Sequence, residues 1–558
     1  MVGRQSTLRR QRAQQQRAQG LVDHRSRAHR ALGPTSPQGL EDDDTQDRYK
    51  PRARDIWMLG ITIVIGGQYF SWNAGLSAGL YSYLAGFILI STGYVTLCCC
   101  ASEITGALPF AGGTYGLARC TLGFFPAFLI GCCEALEYIA YVATAVISLA
   151  DMLVIVAPSL QSWRPLVWAA FFLSALPIHI KGDRVFWIFN AIMGAISIVI
   201  VVLFCLGSLP YVDFTTYASG DSSLLVVNGG SGFMKALPLA CWFYIGVEAL
   251  SLASDDVAEP RKAIPLGQAS CIATLVVTAV AVFFVTVSLP PGLIMLPTTL
   301  VPFNNGFENL FRIPQATSTL LSLPATYATA FGFMWCYGKL IAAMAQSRLL
   351  PPVLARLTTS SRTPYMALIA GSLVSYGLCM AVFWVPAVSK SLYNICMLSA
   401  MMAYTGQCVG YISLKTNYRN IKSSQYKSPF GIPGAIVSIS IWLLNATAVI
   451  GFQANGHVEI IVFGSTLLGL TIFYFTVAKK KQTFSSQENK ILLVAHVMKF
   501  NGRKGLGKRP PTGGSNSAAS KNRPSRHTNG GASVGRSENG SWKRPTVNAV
   551  RVAAVKAR

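Results

Sequence analysis

Between residues 55 and 478 the chain repeatedly runs apolar for about 20 residues, the length an α-helix needs to cross a hydrocarbon layer roughly 30 Å thick. Twelve such runs fall near 55–76, 83–107, 124–156, 163–180, 186–207, 233–254, 266–289, 316–345, 365–385, 391–414, 434–452 and 458–478. Composition agrees. Of 558 residues, 52% are hydrophobic and 12% charged, about half the charge of a soluble protein. The tails hold much of that charge, leaving 17 basic and 14 acidic residues for the 424 residues from 55 to 478. Such a surface must face lipid. These numbers exclude a cytosolic enzyme, a secreted disulfide scaffold and a nucleic-acid-binding globule, despite a net charge of +25. The expected fold is all-α: a polytopic membrane domain over 55–478 between a polar N-tail (1–54) and a basic C-tail (479–558).

Charge asymmetry predicts the orientation. With the N-terminus inside, the inner loops carry Arg119, Lys181, Arg184, Arg261, Lys262, Arg348, Arg356, Arg362, Lys415, Arg419, Lys422 and Lys427. The outer loops carry only Arg164, Lys235, Arg312 and Lys390. Twelve spans return the C-terminus to the cytoplasm, and the plasma membrane is the expected location. No cleavable signal peptide is visible in the Arg-rich first 54 residues, so the first span is expected to target and anchor the chain. The tails, including the acidic cluster Glu41–Asp44, bury too little apolar area to fold. They either attract anionic inner-leaflet lipid or serve as solvated ends that reinforce topology. Ile491–Phe500 has the pattern of a short amphipathic stub.

Thirteen cysteines sit mostly inside the apolar runs, where a thiol behaves as a small hydrophobe. The six histidines form no ligand spacing with them, so neither a metal site nor a structural disulfide is expected. The glycosylation pattern at Asn445 falls within a span, out of reach of modification.

Polar groups inside lipid are expensive and need a reason. The first span is interrupted by Gly66-Gly67-Gln68-Tyr69-Phe70-Ser71-Trp72-Asn73, and the sixth by Trp242-Phe243-Tyr244-Ile245-Gly246-Val247-Glu248. Gly66 and Gly67 alone would fit close helix packing. Two interruptions five spans apart instead fit discontinuous helices in two inverted five-helix repeats, with spans 11 and 12 appended, and place a substrate site near the midplane. Backbone groups freed by unwinding must line a cavity or find a ligand.

At these residues the chain resembles the amino acid–polyamine–organocation superfamily. Glu103-Ile-Thr-Gly-Ala-Leu-Pro109-Phe-Ala-Gly112-Gly113-Thr-Tyr115 is similar to that group's loop after the second span. Trp242 to Glu248, then Asp256-Val-Ala-Glu259-Pro260-Arg261-Lys262-Ala-Ile-Pro265, resemble its sixth span and following loop. Arg348-Leu-Leu-Pro351 with Thr363-Pro364, and Tyr426 to Gly434, match later loops in the right order. A narrower resemblance, to the ethanolamine permease branch, lies in Tyr69-Phe70-Ser71-Trp72-Asn73 and Glu137-Tyr138, with Ser71 where that branch usually has Gly. The resemblance implies a secondary carrier working by alternating access, not an enzyme and without a cofactor. It implies roles for Glu103, Pro109, Gly112 and Gly113 at the inner gate and for Trp242 as a gating ring. Related proton-coupled carriers often place a Lys in span five; here Ser197 or a neighbour occupies that region, which leaves proton or sodium coupling open.

The residues have their own chemistry. Amino acid carriers of this kind hold a carboxylate on a small-residue turn in span one, using freed N–H groups and the half-helix dipole. By alignment that turn falls on Phe70-Ser71-Trp72, whose bulk leaves it little room. An amine needs aromatic faces and an anion. Tyr69, Phe70, Trp72, Trp242, Phe243 and Tyr244 are candidate cation–π walls, each worth about 0.5–2 kcal/mol when dry, or ordinary core rings. Glu134, Glu137, Tyr138 and Tyr141 share one helical face by their i, i+3, i+4, i+7 spacing. Glu137 is read as the substrate partner, with a structural hydrogen-bond role as the alternative, and Glu134 as a titrating or packing residue. Glu248, beyond the sixth-span break, is a candidate for coupling or for capping the broken helix.

The expected cargo is a small organic cation such as ethanolamine, with an amino acid or polyamine permease and a membrane sensor without transport as alternatives. The charge pattern makes one direct prediction. Epitope tags at the two termini should be digested together by protease added to inside-out vesicles and survive together in right-side-out ones; opposite behaviour of the two ends would break the twelve-span count.

Overall fold

A computed structural model describes residues 48–485, apart from 111, 419–425 and 455, together with 489 and 493. The tail features at 1–47 and nearly all of the Ile491–Phe500 stub lie outside the described residues. Among the described residues the chain is all helix and turn. Eleven helical segments are long and apolar enough to cross a membrane. The remaining first span is too short to count because it is broken: Ala53–Val64 is α-helical, Ile65–Gln68 tightens to 3₁₀, and Trp72–Ala78 resumes after Tyr69–Ser71.

The other spans run Leu80–Ala107 (second), Phe124–Val156 (third), Arg164–Lys181 (fourth) and Asp183–Ser208 (fifth). The sixth is assembled from Gly229–Ala236, Leu237–Phe243 and, after a break, Val247–Asp255. Then follow Pro260–Val287 (seventh), Leu323–Gln346 (eighth), Tyr365–Trp384 (ninth), Val388–Asn417 (tenth), Gly431–Phe452 (eleventh) and Gly456–Phe473 (twelfth). Odd-numbered spans all begin on the side where Ala53 enters, called here the near side; even-numbered ones begin on the far side.

Both breaks fall where the sequence places them, for a local reason. Ser71 sits at φ 71° and Gly246 at φ 97°. Neither conformation continues a right-handed helix, and Gly is the residue that adopts it without strain. The broken spans are pressed together. A Cβ on Gly67 would overlap the Trp242 carbonyl oxygen, and one on Gly66 would strike the Ala325 carbonyl and Thr329 of the eighth span. These glycines therefore serve close approach as well as unwinding. Around them the third span packs along the eighth and the tenth, and the seventh along the first and second. The broken pair thus lies inside an enclosing wall. Of the sixth span's most apolar stretch, 94% is buried, against 6% for the twelfth. The twelfth span faces lipid.

One element was not foreseen. The loop after the second span folds into a helix, Gly113–Thr121, started by Gly113 at φ 53°. A Cβ there would press on Ser251 and Leu252 of the sixth span's near half. Asn445 is buried, with its amide donating to the sulfurs of Cys241 and Met401.

Substituting Gly246 by Ala forces a Cβ into a left-handed position already filled by Phe333 and Ile63. The expected cost is about 1–3 kcal/mol, read as a lower apparent Tm in detergent. Gly451→Ala, in open space on the eleventh span, should leave Tm unchanged.

Candidate functional site

The third span supplies the acidic face the spacing anticipated. Glu134, Glu137, Tyr138 and Tyr141 are all fully buried and turn toward the broken spans. The Tyr138 hydroxyl lies 2.9 Å from Glu134 Oε1 and 3.4 Å from Glu248 Oε1, so one phenol bridges the third and sixth spans. Glu137 Oε1 accepts from Tyr404 Oη of the tenth span at 2.6 Å. Glu248 stands in the first turn of the sixth span's near half.

Three carboxyl groups thus converge in a water-excluded core, near enough for charge on Glu134 or Glu248 to be felt at Glu137. Each keeps one oxygen, Oε2, with no hydrogen-bond partner, as do Gln68 Oε1 and the Tyr141 hydroxyl. Among the described residues no Lys, Arg or His pairs with any of the three. Acceptors exceed donors. Buried acceptors without donors are costly, and a ligand rich in N–H groups would satisfy them.

Rings close this core on its far side. Trp242 meets Phe70 edge-on at 5.2 Å and Tyr141 at 5.4 Å, and it stacks on Tyr393 at 4.8 Å with the planes 4° apart. Phe333 of the eighth span lies 4.0 Å from Tyr141 and 5.7 Å from Tyr138, beside Gly246. Thr329 Oγ1 donates to the Ile63 carbonyl, a backbone oxygen at the end of the first half-helix.

Not every expected ring belongs to this wall. Tyr69 turns to the fifth span, its hydroxyl donating to the Ser197 carbonyl at 2.5 Å and its ring lying 4.5 Å from Phe303. Ser197 Oγ is occupied within its own helix by Met193 O at 2.8 Å. Trp72 donates to Gln68 O at 2.8 Å and packs with Phe243, which in turn rests on Phe87 of the second span. Tyr244 bonds Ser91 and sits 5.5 Å from Tyr94. These rings brace the breaks, so Phe70 and Trp242 are the expected rings left for a ligand. Tyr404, Phe333 and Thr329 reach the site without having been anticipated. Each lies outside any motif, in a helix that carries several other rings and polar groups, so no local signal singles it out.

On the near side Glu103 is held by Lys415 Nζ at 2.6 Å, Tyr411 Oη at 2.6 Å and the Ser428 N–H at 3.1 Å. It ties the second span to the tenth and to the approach of the eleventh. Pro109, Gly112 and Gly113 form the turn that follows. A separate near-side cavity of 330 Å³ is lined by Arg48 and Lys50 before the first span, Asp183 of the fifth, Asp255 and Asp256 of the sixth, and Lys339 of the eighth, among others. Lys339 Nζ meets Asp256 at 2.6 Å, and the Tyr49 N–H donates to Asp183 at 2.9 Å. No described side chain of the carboxyl core is more than marginally exposed, so this conformation is closed to both sides.

Similarity to known proteins follows the same residues. The sequence model described as amino acid permease matches residues 56–489. An uncharacterized transporter of Rhizobium meliloti is 26% identical over 63% of this chain and 75% of its own. A methylthioribose transporter of Bacillus subtilis is 25% identical over 73% and 91%. A lysine-specific permease of Lactococcus lactis is 22% identical over 77% and 88%.

The Tyr404–Glu137 contact can be tested through stability. Tyr404→Phe leaves both Glu137 oxygens without a partner and should cost about 1–3 kcal/mol, seen as a fall in apparent Tm. The double variant Tyr404→Phe/Glu137→Leu should recover most of it; a double variant as unstable as the single one would show that the contact does not carry the effect.

Proposed function

The chain belongs to the amino acid permease family, and from that premise we propose that it is a secondary carrier of a small organic amine, ethanolamine-like in class, working by alternating access. The observation that carries this reading is the acceptor excess: Glu134, Glu137 and Glu248 each present an unpartnered buried oxygen, and among the described residues no Lys, Arg or His pairs with them. A primary ammonium brings three N–H donors and a positive charge to such a cradle. Glu137 is the proposed partner for that ammonium, Phe70 and Trp242 its aromatic walls, and the Gly66–Gly67 and Ile245–Gly246 backbone its flanks. Glu248, joined to Glu134 through Tyr138, is the proposed relay between occupancy and the sixth-span break.

The two breaks support inverted five-helix repeats, with the first and sixth spans in matching places. Substrate would enter past Trp242 and leave toward the near-side cavity. There the Lys339–Asp256 pair and the Tyr49–Asp183 bond join broken spans to fixed ones, as an inner gate requires. This places the gate beside the sixth span's end, with Glu103 and the Gly112–Gly113 turn supporting it from the second span. The charge pattern supports a cytoplasmic near side, and the plasma membrane is the proposed location. Coupling by protons fits a core of convergent carboxyl groups better than coupling by sodium, since a shared proton relieves their mutual repulsion.

A second reading, an amino acid permease, is favoured by relatives named for lysine and other amino acids. It requires backbone N–H groups near Ser71 to receive a carboxylate. Uptake of labelled ethanolamine, arginine and neutral amino acids into proteoliposomes, with and without an inward proton gradient, separates the two. The amine reading predicts saturable ethanolamine uptake that arginine competes with weakly, stimulation by the gradient, and loss of at least about 100-fold in kcat/KM for Glu137→Gln, the effect of removing a buried charge from its ligand. Normal uptake by that variant sinks the assignment. A membrane sensor would bind the amine yet show no counterflow.

A further inference from the structure

One buried carboxyl has no part in the reading above. Glu459 lies in the first turn of the twelfth span, fully buried although that helix otherwise faces lipid. Its Oε1 accepts from Asn394 Nδ2 of the tenth span at 2.7 Å, and its Oε2 has no hydrogen-bond partner. A carboxyl at this depth is expensive to keep and points to a role.

Its partner Asn394 leads to the gate. Asn394 directly follows Tyr393, whose ring is the one stacked on Trp242. The Tyr393 hydroxyl donates to the Pro238 carbonyl of the sixth span at 2.8 Å. Successive helical residues point about 100° apart. Tyr393 thus holds the tenth span from the side of the sixth, and Asn394 holds it from the side of the twelfth. Tyr404, Tyr411 and Lys415 hold the same helix nearer its other end, through Glu137 and Glu103; the two bonds at different azimuths set the rotation of its far-side end. The eleventh span and its capping residue grip the sixth span's far half directly as well. Gln453 Nε2 donates to the Lys235 carbonyl at 3.0 Å, and Asn445 Nδ2 to Cys241 Sγ at 3.3 Å. Span 11 is therefore fastened to the half-helix that carries Trp242, and span 12 reaches it through Asn394 and the neighbouring Tyr393.

We infer that Glu459 is a positioning residue for the far-side gate: by anchoring Asn394 it sets the rotation of the tenth span's far-side end and so holds Tyr393 stacked on Trp242, which lets the twelfth span bias closure over the substrate site. The inference rests on the carrier reading, in which Trp242 must move for substrate to pass. What Glu459 supplies is an acceptor oxygen, not a charge on the substrate.

The test is amine exchange by full-length protein in proteoliposomes, with KM and kcat read separately. Glu459→Leu and Asn394→Leu should each raise KM about fivefold, an ordinary size for coupling through a packed network, and leave kcat within about twofold. Glu459→Gln, which keeps the acceptor, should stay within about twofold of wild type on both, and the double Leu variant should be no worse than the worse single one. Equal damage from Gln and Leu, additive effects in the double variant, or wild-type KM in both Leu variants would overturn the inference. Should Glu459→Leu fail to purify as a folded protein, Asn394→Leu against Glu459→Gln decides the same question. Wild-type protein that binds without exchanging would sink the carrier reading, and this inference with it. Exchange by the wild type with unaltered Leu variants sinks this inference alone.

Discussion

A helix that unwinds inside lipid exposes peptide groups that water cannot reach, and each one left bare costs several kcal/mol. That constraint organises the molecule. The first and sixth spans both unwind, and they do so against each other, close enough that no side chain fits between Gly67 and the Trp242 carbonyl. The neighbouring spans then enclose the break: Thr329 of the eighth donates to the freed Ile63 carbonyl, Phe333 of the eighth packs beside Gly246, and Tyr138 of the third bridges to Glu248. The enclosing wall makes the breaks tolerable.

The same constraint shapes the chemistry. Three carboxyl groups with three idle oxygens form an unfinished network, and an unfinished polar network in a low-dielectric core is worth less than an apolar one. It persists where a ligand or proton completes it. The surrounding rings exclude water, which strengthens any cation held there. On the near side the polar contacts differ in kind: Glu103, Asp256 and Lys339 are paired, and they tie helices together.

Much of this was legible in the chain. The spans begin and end within a few residues of the apolar runs, since a hydrocarbon slab leaves little freedom in length. The breaks at Ser71 and Gly246 were legible because glycines and polar residues in an apolar helix have few other uses. The face joining Glu134, Glu137 and Tyr138 followed from helical periodicity alone. By contrast, the aromatic wall was read too broadly. Trp72, Phe243 and Tyr244 look identical to Phe70 and Trp242 in sequence, yet they turn toward the second span and brace the breaks.

Sequence by itself therefore determined that the chain crosses the membrane, where its helices break and which helix face carries the acids, because length, backbone conformation and periodicity are local properties. Tertiary structure alone decided that Tyr404, 267 residues beyond Glu137, binds one oxygen of its carboxyl, that Lys339 meets Asp256, and that Glu459 holds Asn394, next to the Tyr393 ring of the Trp242 stack. Those pairings join helices far apart in the chain, and a lone tyrosine, lysine or glutamate carries no local mark of the partner that packing will bring to it.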